Sequence, residues 1–172
     1  MKTLENKVAI ITGAGSGIGK AAALLFAQEG AKVVVSDIAE ENGKSVVEEI
    51  IYKGGEAIFV KADTSSPEEN EALVKATVGK YGKLDIAVNN AGIGKGGTVE
   101  STSLELWEQT MAINSTGPFL GCKYALPLLR ESQPASIINI SSSASFTADP
   151  FLAAYNASKA AVWMLSKSVA LY

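Results

Sequence analysis

KVAIITGAGSGIG, residues 7–19, couples a short apolar run to a turn containing four glycines. The run from Val8 to Ile11 has no polar interruption, the pattern of a strand buried on both faces of a parallel sheet. In the turn, Gly13, Gly15, Gly17 and Gly19 carry no Cβ, so backbone N–H groups can close on a phosphate. A helix opens there, and its dipole favours an anion at that end. A phosphate-bearing ligand is therefore the first expectation. The strict G-x-G-x-x-G spacing is not met, because Ile18 stands where its third glycine would fall. The spacing present is Thr12-Gly13-x-x-x-Gly17-x-Gly19. Taken alone, such a turn is also compatible with a plain strand-to-helix connection, and the rest of the chain must decide.

Downstream, strands and helices alternate. Ala22, Leu25 and Phe26 give residues 19–29 a helical period, and Gly30 marks the stop. A strand over 31–36 leads to a helix over about 40–53 with Val46, Val47, Ile50 and Ile51 inward, broken by Gly54-Gly55. The third strand covers 57–60. Ser66-Pro67-Glu68-Glu69 reads as an N-cap, a proline at the first helical position and acids in the first turn, opening a helix to Tyr81 that Gly82 ends. Leu84 to Val88 is the fourth strand. Ser103 caps a helix through Leu106, Trp107 and Met111, and another covers about 118–130 with a kink expected at Pro127. Ile137 to Ile140 is strand five, and a last helix runs from about Ala153 past the final residue. Five alternations with short connections predict a single α/β domain over residues 1–172, a doubly wound parallel sheet.

Composition narrows the function. A chain of 172 residues, 47% hydrophobic and 19% charged, can bury a sizeable core. A net charge of -3 without a basic cluster speaks against nucleic acid as a partner. MKTLENK at the start lacks the apolar core of a signal peptide, and no apolar run of about 18 residues is present to span a bilayer. A cytoplasmic location with no membrane partner is expected. Cys122 has no second cysteine to pair with, and its apolar neighbours predict a small buried side chain. Histidine is absent, which removes His-based acid–base chemistry and leaves no metal expected.

Proton transfer then needs another side chain. Tyr155 and Lys159 are four residues apart on a predicted helix and share one face. A phenol with an ordinary pKa of about 10 can act near neutrality only beside positive charge, and a shift of about three units takes roughly 4 kcal/mol. Lys159 can supply part of that charge. Asp37 closes the second strand 18 residues beyond Gly19. A carboxylate there accepts hydrogen bonds from an adenosine ribose and repels a 2′-phosphate, favouring NAD over NADP. The turn itself offers no Arg or Lys to pair with such a phosphate. Asn89-Asn90-Ala91-Gly92 follows strand four and Ser142 follows strand five, at the edge where ligands sit in such sheets. The Ser142 hydroxyl is placed to orient a substrate oxygen; the competing reading is that the serines of this loop satisfy their own backbone.

Together Thr12-Gly13-x-x-x-Gly17-x-Gly19, Asn89-Asn90-Ala91-Gly92, Asn114-Ser-Thr-Gly117, Ser142 and Tyr155-Asn-Ala-Ser-Lys159 resemble the short-chain dehydrogenase/reductase family, from about Leu4 to the last residue. The resemblance implies a Rossmann-type sheet of strand order 3-2-1-4-5, and hydride transfer between NAD(H) and a secondary alcohol or ketone. It implies that Tyr155 is the acid–base group, Lys159 its pKa-lowering partner and nicotinamide-ribose contact, Ser142 the donor to the substrate oxygen, and Asn114 the holder of a proton-relay water. Read from its surroundings alone, Asn114 is a local helix distortion satisfied by backbone hydrogen bonds. By the same resemblance the cofactor lies on Gly13, Ser16, Gly17, Ile18, Gly19, Asp37, Ile38, Asp63, Thr64, Asn90, Ala91 and Gly92, together with Tyr155 and Lys159.

Family members usually continue well beyond this length, so the sequence is expected to be incomplete at its C-terminus, with strand five an exposed edge. A homo-oligomer, paired through the helices around 104–131 and 153–172, is also implied. Two alternatives stand beside this reading: an NADPH-dependent reductase of acyl-chain ketones, and a non-catalytic nucleotide-binding or dimerisation module. The substrate is legible only as a small alcohol or carbonyl compound.

Overall fold

The structure, a computed structural model, describes residues 2–172. Strands β1 (Val8–Thr12), β2 (Lys32–Asp37), β3 (Glu56–Lys61), β4 (Ile86–Asn89) and β5 (Ser136–Asn139) form one sheet in the order β3-β2-β1-β4-β5. Every pair is parallel, as expected for a doubly wound sheet. Helices α1 (Gly17–Gln28) and α2 (Glu40–Tyr52) cover one face, α3 (Pro67–Tyr81) and α5 (Gly117–Glu131) the other. α4 (Leu104–Met111) and α6 (Ala153–Ala170) complete the chain.

The two-residue period of a strand divides the core. From the fully buried β1, Ala9 and Ile11 join Val33, Val35 and Val88 against Ala23, Ala27, Val46 and Ile50. Ile10 points the other way, with Val34 and Ala87, against Leu73, Ala125 and Leu129. Burial on both faces is why β1 reads as an uninterrupted apolar run. β5 is the sheet's outer strand, and Ile138 on it is 40% exposed.

Local signals hold where the interaction is local. Ser66 and Ser103 cap α3 and α4, accepting from the N–H groups of Glu69 at 3.2 Å and Leu106 at 3.1 Å. Gly82 ends α3 in the left-handed region, at φ 76°. α4 and α5 are joined by a π-helical turn, Ala112–Thr116, the helix distortion expected around Asn114. Three details differ from the sequence reading. α1 opens at Gly17 rather than Gly19, because Ser16 is already extended and serves as the N-cap residue. α6 closes at Ala170 instead of running past the last residue. Cys122 is buried, but beside polar groups: Asn89 Nδ2 at 3.6 Å and Asn139 Oδ1 at 3.7 Å.

At the N-terminal end of the strands, Asp85 is buried just before β4. Its carboxylate accepts from Val8 N–H at 2.8 Å, Lys83 Nζ at 2.8 Å and Lys7 Nζ at 3.3 Å. Burial by itself would push this carboxyl up, but the bonds from Lys83, Val8 and Lys7 hold it below its ordinary value. A folded-state pKa below the unfolded one, about 3.9, contributes stability that is fully present above the unfolded value and lost as pH falls through the folded one. Asp85→Asn should therefore cost about 2 kcal/mol in urea denaturation near neutral pH, the exposed lysines keeping the figure modest. The gap between the two proteins should narrow as pH drops below about 4; a gap independent of pH would contradict this account.

Candidate functional site

The C-terminal ends of β1, β2, β4 and β5 bring the glycine turn, Asp37, Asn90 and the serine loop to one edge. Thr12 is the joint. Its hydroxyl donates to Val88 O at 3.3 Å and accepts from the N–H groups of Asn90 at 3.1 Å and Ala91 at 3.2 Å. Asn90 Nδ2 returns two bonds, to Thr12 O at 2.8 Å and Gly13 O at 3.2 Å. The contact leaves no room for side chains: a Cβ on Gly13 would fall 2.8 Å from Ala91 Cα, and one on Gly19 would overlap the Gly13 carbonyl. At Gly17 the reason is conformational, since φ is +52° and a Cβ would meet nothing within 4 Å. That open, Cβ-free space at the start of α1 suits a phosphate. Ser16 and Ile18 beside it are exposed.

Asp37 bridges the turn to the end of β2. One carboxylate oxygen accepts from Gly15 N–H at 2.8 Å, the other from Ala39 N–H at 2.9 Å. Ile38, next to it, is exposed. Thr64 is buried against Gly117, where an added Cβ would lie 3.1 Å from Thr64 Oγ1, and shares a small recess with Thr12 and Ala91. Asp63 closes a local turn through one carboxylate oxygen, which accepts from the N–H of Ser65 at 2.8 Å and from the Ser65 hydroxyl at 2.7 Å.

The other end of the cleft belongs to α6. Tyr155 is in its first turn, half-buried, with the buried Lys159 one turn on. Lys159 Nζ lies 5.8 Å from the centre of the Tyr155 ring and donates to Ile140 O at 2.7 Å. Burial holds this ammonium below its ordinary pKa, and no carboxylate among the described residues offsets it. A Cβ on Gly92 would lie 3.5 Å from Lys159 Nζ, which puts the end of the Asn89–Gly92 segment directly against the lysine.

Both readings of the serine loop are visible. Ser141 and Ser145 satisfy backbone, donating to the Lys159 carbonyl at 3.0 and 2.9 Å. Ser142 Oγ accepts from Ala144 N–H at 3.1 Å, which leaves its hydroxyl hydrogen for another acceptor. Asn114 is fully buried in the π-helical turn, so the expected distortion is present, but its bonds are not local. Its Oδ1 accepts from Ile93 N–H and its Nδ2 donates to Ile93 O, both at 2.8 Å, and Nδ2 also reaches Ser158 Oγ at 3.1 Å. Ser158 in turn donates to the Tyr155 carbonyl at 2.8 Å. Asn114 thus ties the segment after Gly92 to the helix bearing Tyr155.

Sequence reasoning missed the groups that hold these in place. Asn89 Nδ2 donates to Asn139 Oδ1 at 2.7 Å, directly across the β4–β5 ladder, and Asn139 Nδ2 donates to Ser166 Oγ on α6 at 2.9 Å. The one available signal was an asparagine inside the apolar run Ile137 to Ile140. Among the described residues no group of three or more His, Cys, Asp or Glu is arranged to hold a metal ion, and no helix is long and apolar enough to cross a membrane.

Comparison with known proteins agrees with this architecture. Residues 7–172 match the short chain dehydrogenase family. An uncharacterized oxidoreductase of Thermotoga maritima is 48% identical over 167 residues, 97% of this chain and 66% of the relative. The 2,5-dichloro-2,5-cyclohexadiene-1,4-diol dehydrogenase LinX of Sphingobium indicum is 45% identical over 168 residues, 98% of this chain and 67% of its own length. A crystal structure of a Burkholderia phymatum short chain dehydrogenase/reductase in complex with NAD superposes with a TM-score of 0.94 at 35% identity, covering 98% of this chain and 60% of that one. The chain therefore spans about two thirds of the length of the relatives it matches. With the family matched over all but the first six residues and the fold superposing on a member of it at a TM-score of 0.94, the chain belongs to the short-chain dehydrogenase/reductase family.

Proposed function

We propose that this chain, acting as one dinucleotide-binding and catalytic unit, passes hydride between NAD(H) and a secondary alcohol or ketone. The observation that carries the reading is Lys159, an ammonium buried without a carboxylate one helical turn from a phenol. Beside that cation, Tyr155 takes the proton of a substrate alcohol or returns one to a ketone oxygen. Ser142, with its hydroxyl hydrogen uncommitted, donates to the same substrate oxygen. Asn114 serves by holding Ile93 and Ser158, which fixes Tyr155 against the loop that follows Gly92, and its place beside them is where we put the proton-relay water.

The nicotinamide supplies the hydride acceptor or donor when bound. Gly13, Ser16, Gly17, Ile18 and Gly19 would hold the pyrophosphate, and Asn90, Ala91 and Gly92 the nicotinamide ribose. Asp37 and Ile38 would take the adenosine ribose, and Asp63 and Thr64 the adenine. NAD rather than NADP is supported by Asp37 and by its surroundings. Lys20, Lys44 and Lys61, at the same edge, are each paired with Glu49 or Glu40. A 2′-phosphate would meet the Asp37 carboxylate with those cations engaged. The NAD in the Burkholderia structure and the cyclic diol in the name of the Sphingobium relative support the cofactor and a small alcohol substrate.

We place the protein in the cytoplasm, where its single thiol has no disulfide to make. We also infer a homo-oligomer, supported by the exposed Leu104 and Phe119 on α4 and α5 and Met164 on α6.

Tyr155→Phe should lower turnover of a secondary alcohol by about 10³-fold or more while leaving the Kd for NADH, followed by nicotinamide fluorescence, nearly unchanged. Undiminished turnover removes Tyr155 from the reaction. Asp37→Ala should narrow the ratio of NADH to NADPH affinity by about tenfold, and equal affinities in the unsubstituted protein would refute the NAD assignment.

A further inference from the structure

We propose that Gly94 sets the room beside the Tyr155 ring and so decides whether a ring-sized secondary alcohol can reach Tyr155. The proposal rests on the role given to Tyr155 above and adds the residue that selects its substrate.

The loop after β4 contains Gly92, Gly94, Gly96 and Gly97, and an added Cβ meets different surroundings at each. At Gly97 it would lie 2.5 Å from Thr102 Oγ1, at Gly92 3.2 Å from Asn114 Oδ1, and at Gly96 3.4 Å from the Phe151 carbonyl. At Gly97 and Gly92 the added atom is pressed against the protein, and at Gly96 it meets a backbone carbonyl at ordinary contact distance. At Gly94 the atoms within 4 Å are Tyr155 Cε2 at 3.7 Å and Tyr155 Cδ2 at 3.8 Å, ordinary van der Waals distances. The Gly94 backbone lies outside the left-handed region as well. Neither packing nor conformation demands glycine here, and a side chain would occupy the space along the edge of the phenol ring.

That wall cannot retreat to make room, because it is pinned on both sides of Gly94. Asn114 holds the N–H and carbonyl of Ile93. Gly97 N–H donates to Phe151 O at 2.6 Å, and Ala153 N–H donates to Gly97 O at 3.0 Å, bridging the loop to the segment that enters α6. The same bridge fixes the backbone of Phe151, whose side chain is 66% exposed, four residues before Tyr155. A fixed wall with no side chain at position 94 leaves room for a ring beside the phenol.

The test compares cyclohexanol with 2-propanol as substrates of the unsubstituted chain and of Gly94→Ala and Gly94→Val, with NADH titrations and thermal melts on each to establish folding. The ratio of kcat/KM for cyclohexanol to that for 2-propanol should fall about tenfold in the alanine variant and further in the valine variant. Calorimetric Kd values for cyclohexanone and acetone in the presence of NADH should diverge in the same order. Gly94→Ser replaces the valine variant if that protein does not fold. A ratio unchanged in the folded variants overturns the role of Gly94 alone. Failure of the unsubstituted chain to turn over either alcohol or bind either ketone overturns the alcohol–ketone reading, and this proposal with it.

Discussion

The cleft depends on the hydroxyl of Thr12. Buried between two central strands, it donates once and accepts twice, so one oxygen carries the Val88 carbonyl and the N–H groups of Asn90 and Ala91. An unpaired buried amide costs about 1–3 kcal/mol, so the arrangement discourages separation of the β1 and β4 ends. Asn90 closes the joint from the other side through the carbonyls of Thr12 and Gly13. The glycine turn is therefore held in register with the segment that leads, through Gly92, to Lys159. Two motifs 77 residues apart behave as one structural unit.

Lys159 inherits its position from the same ladder. Its ammonium is bound by the Ile140 carbonyl, and Ile140 N–H donates to Asn89 O at 3.0 Å, so the end of β5 is placed by β4. Asn139 then reaches from Asn89 across to Ser166, fastening α6 two turns beyond the lysine. Ser141 and Ser145 hold the backbone carbonyl of Lys159 itself. A desolvated ammonium is expensive, and these bonds keep it in place without neutralising it.

Most of this scaffold was legible because its signals are local or periodic. The caps at Ser66 and Ser103, the stop at Gly82 and the buried run of β1 each depend on residues within a few positions of one another. Tyr155 and Lys159 share a helix face, so their proximity follows from helical geometry. What could not be read is long-range. The partners of Asn114 lie at Ile93 and Ser158, and nothing near Asn114 announces either. Cys122 looked apolar in sequence because its polar neighbours, Asn89 and Asn139, arrive from two strands. Asp63, where the family resemblance puts an adenine contact, closes a two-residue turn onto Ser65 through one carboxylate oxygen.

The two buried charges at opposite ends of the sheet are satisfied in different ways. Asp85, at the foot of β4, is surrounded by two lysines and a backbone donor, so its charged state is satisfied within the protein and it has no call on a ligand. Lys159, beyond the other end of the same strand, has a single carbonyl and no anion. Both carry the cost of leaving water, and only Asp85 recovers it from fixed charges. The fold leaves the ammonium without a negative partner, and the Tyr155 ring centre lies 5.8 Å from it, one turn away on the same helix face. The proton transfer we propose for this edge thus draws on a charge that folding leaves uncompensated, next to the ring of Tyr155.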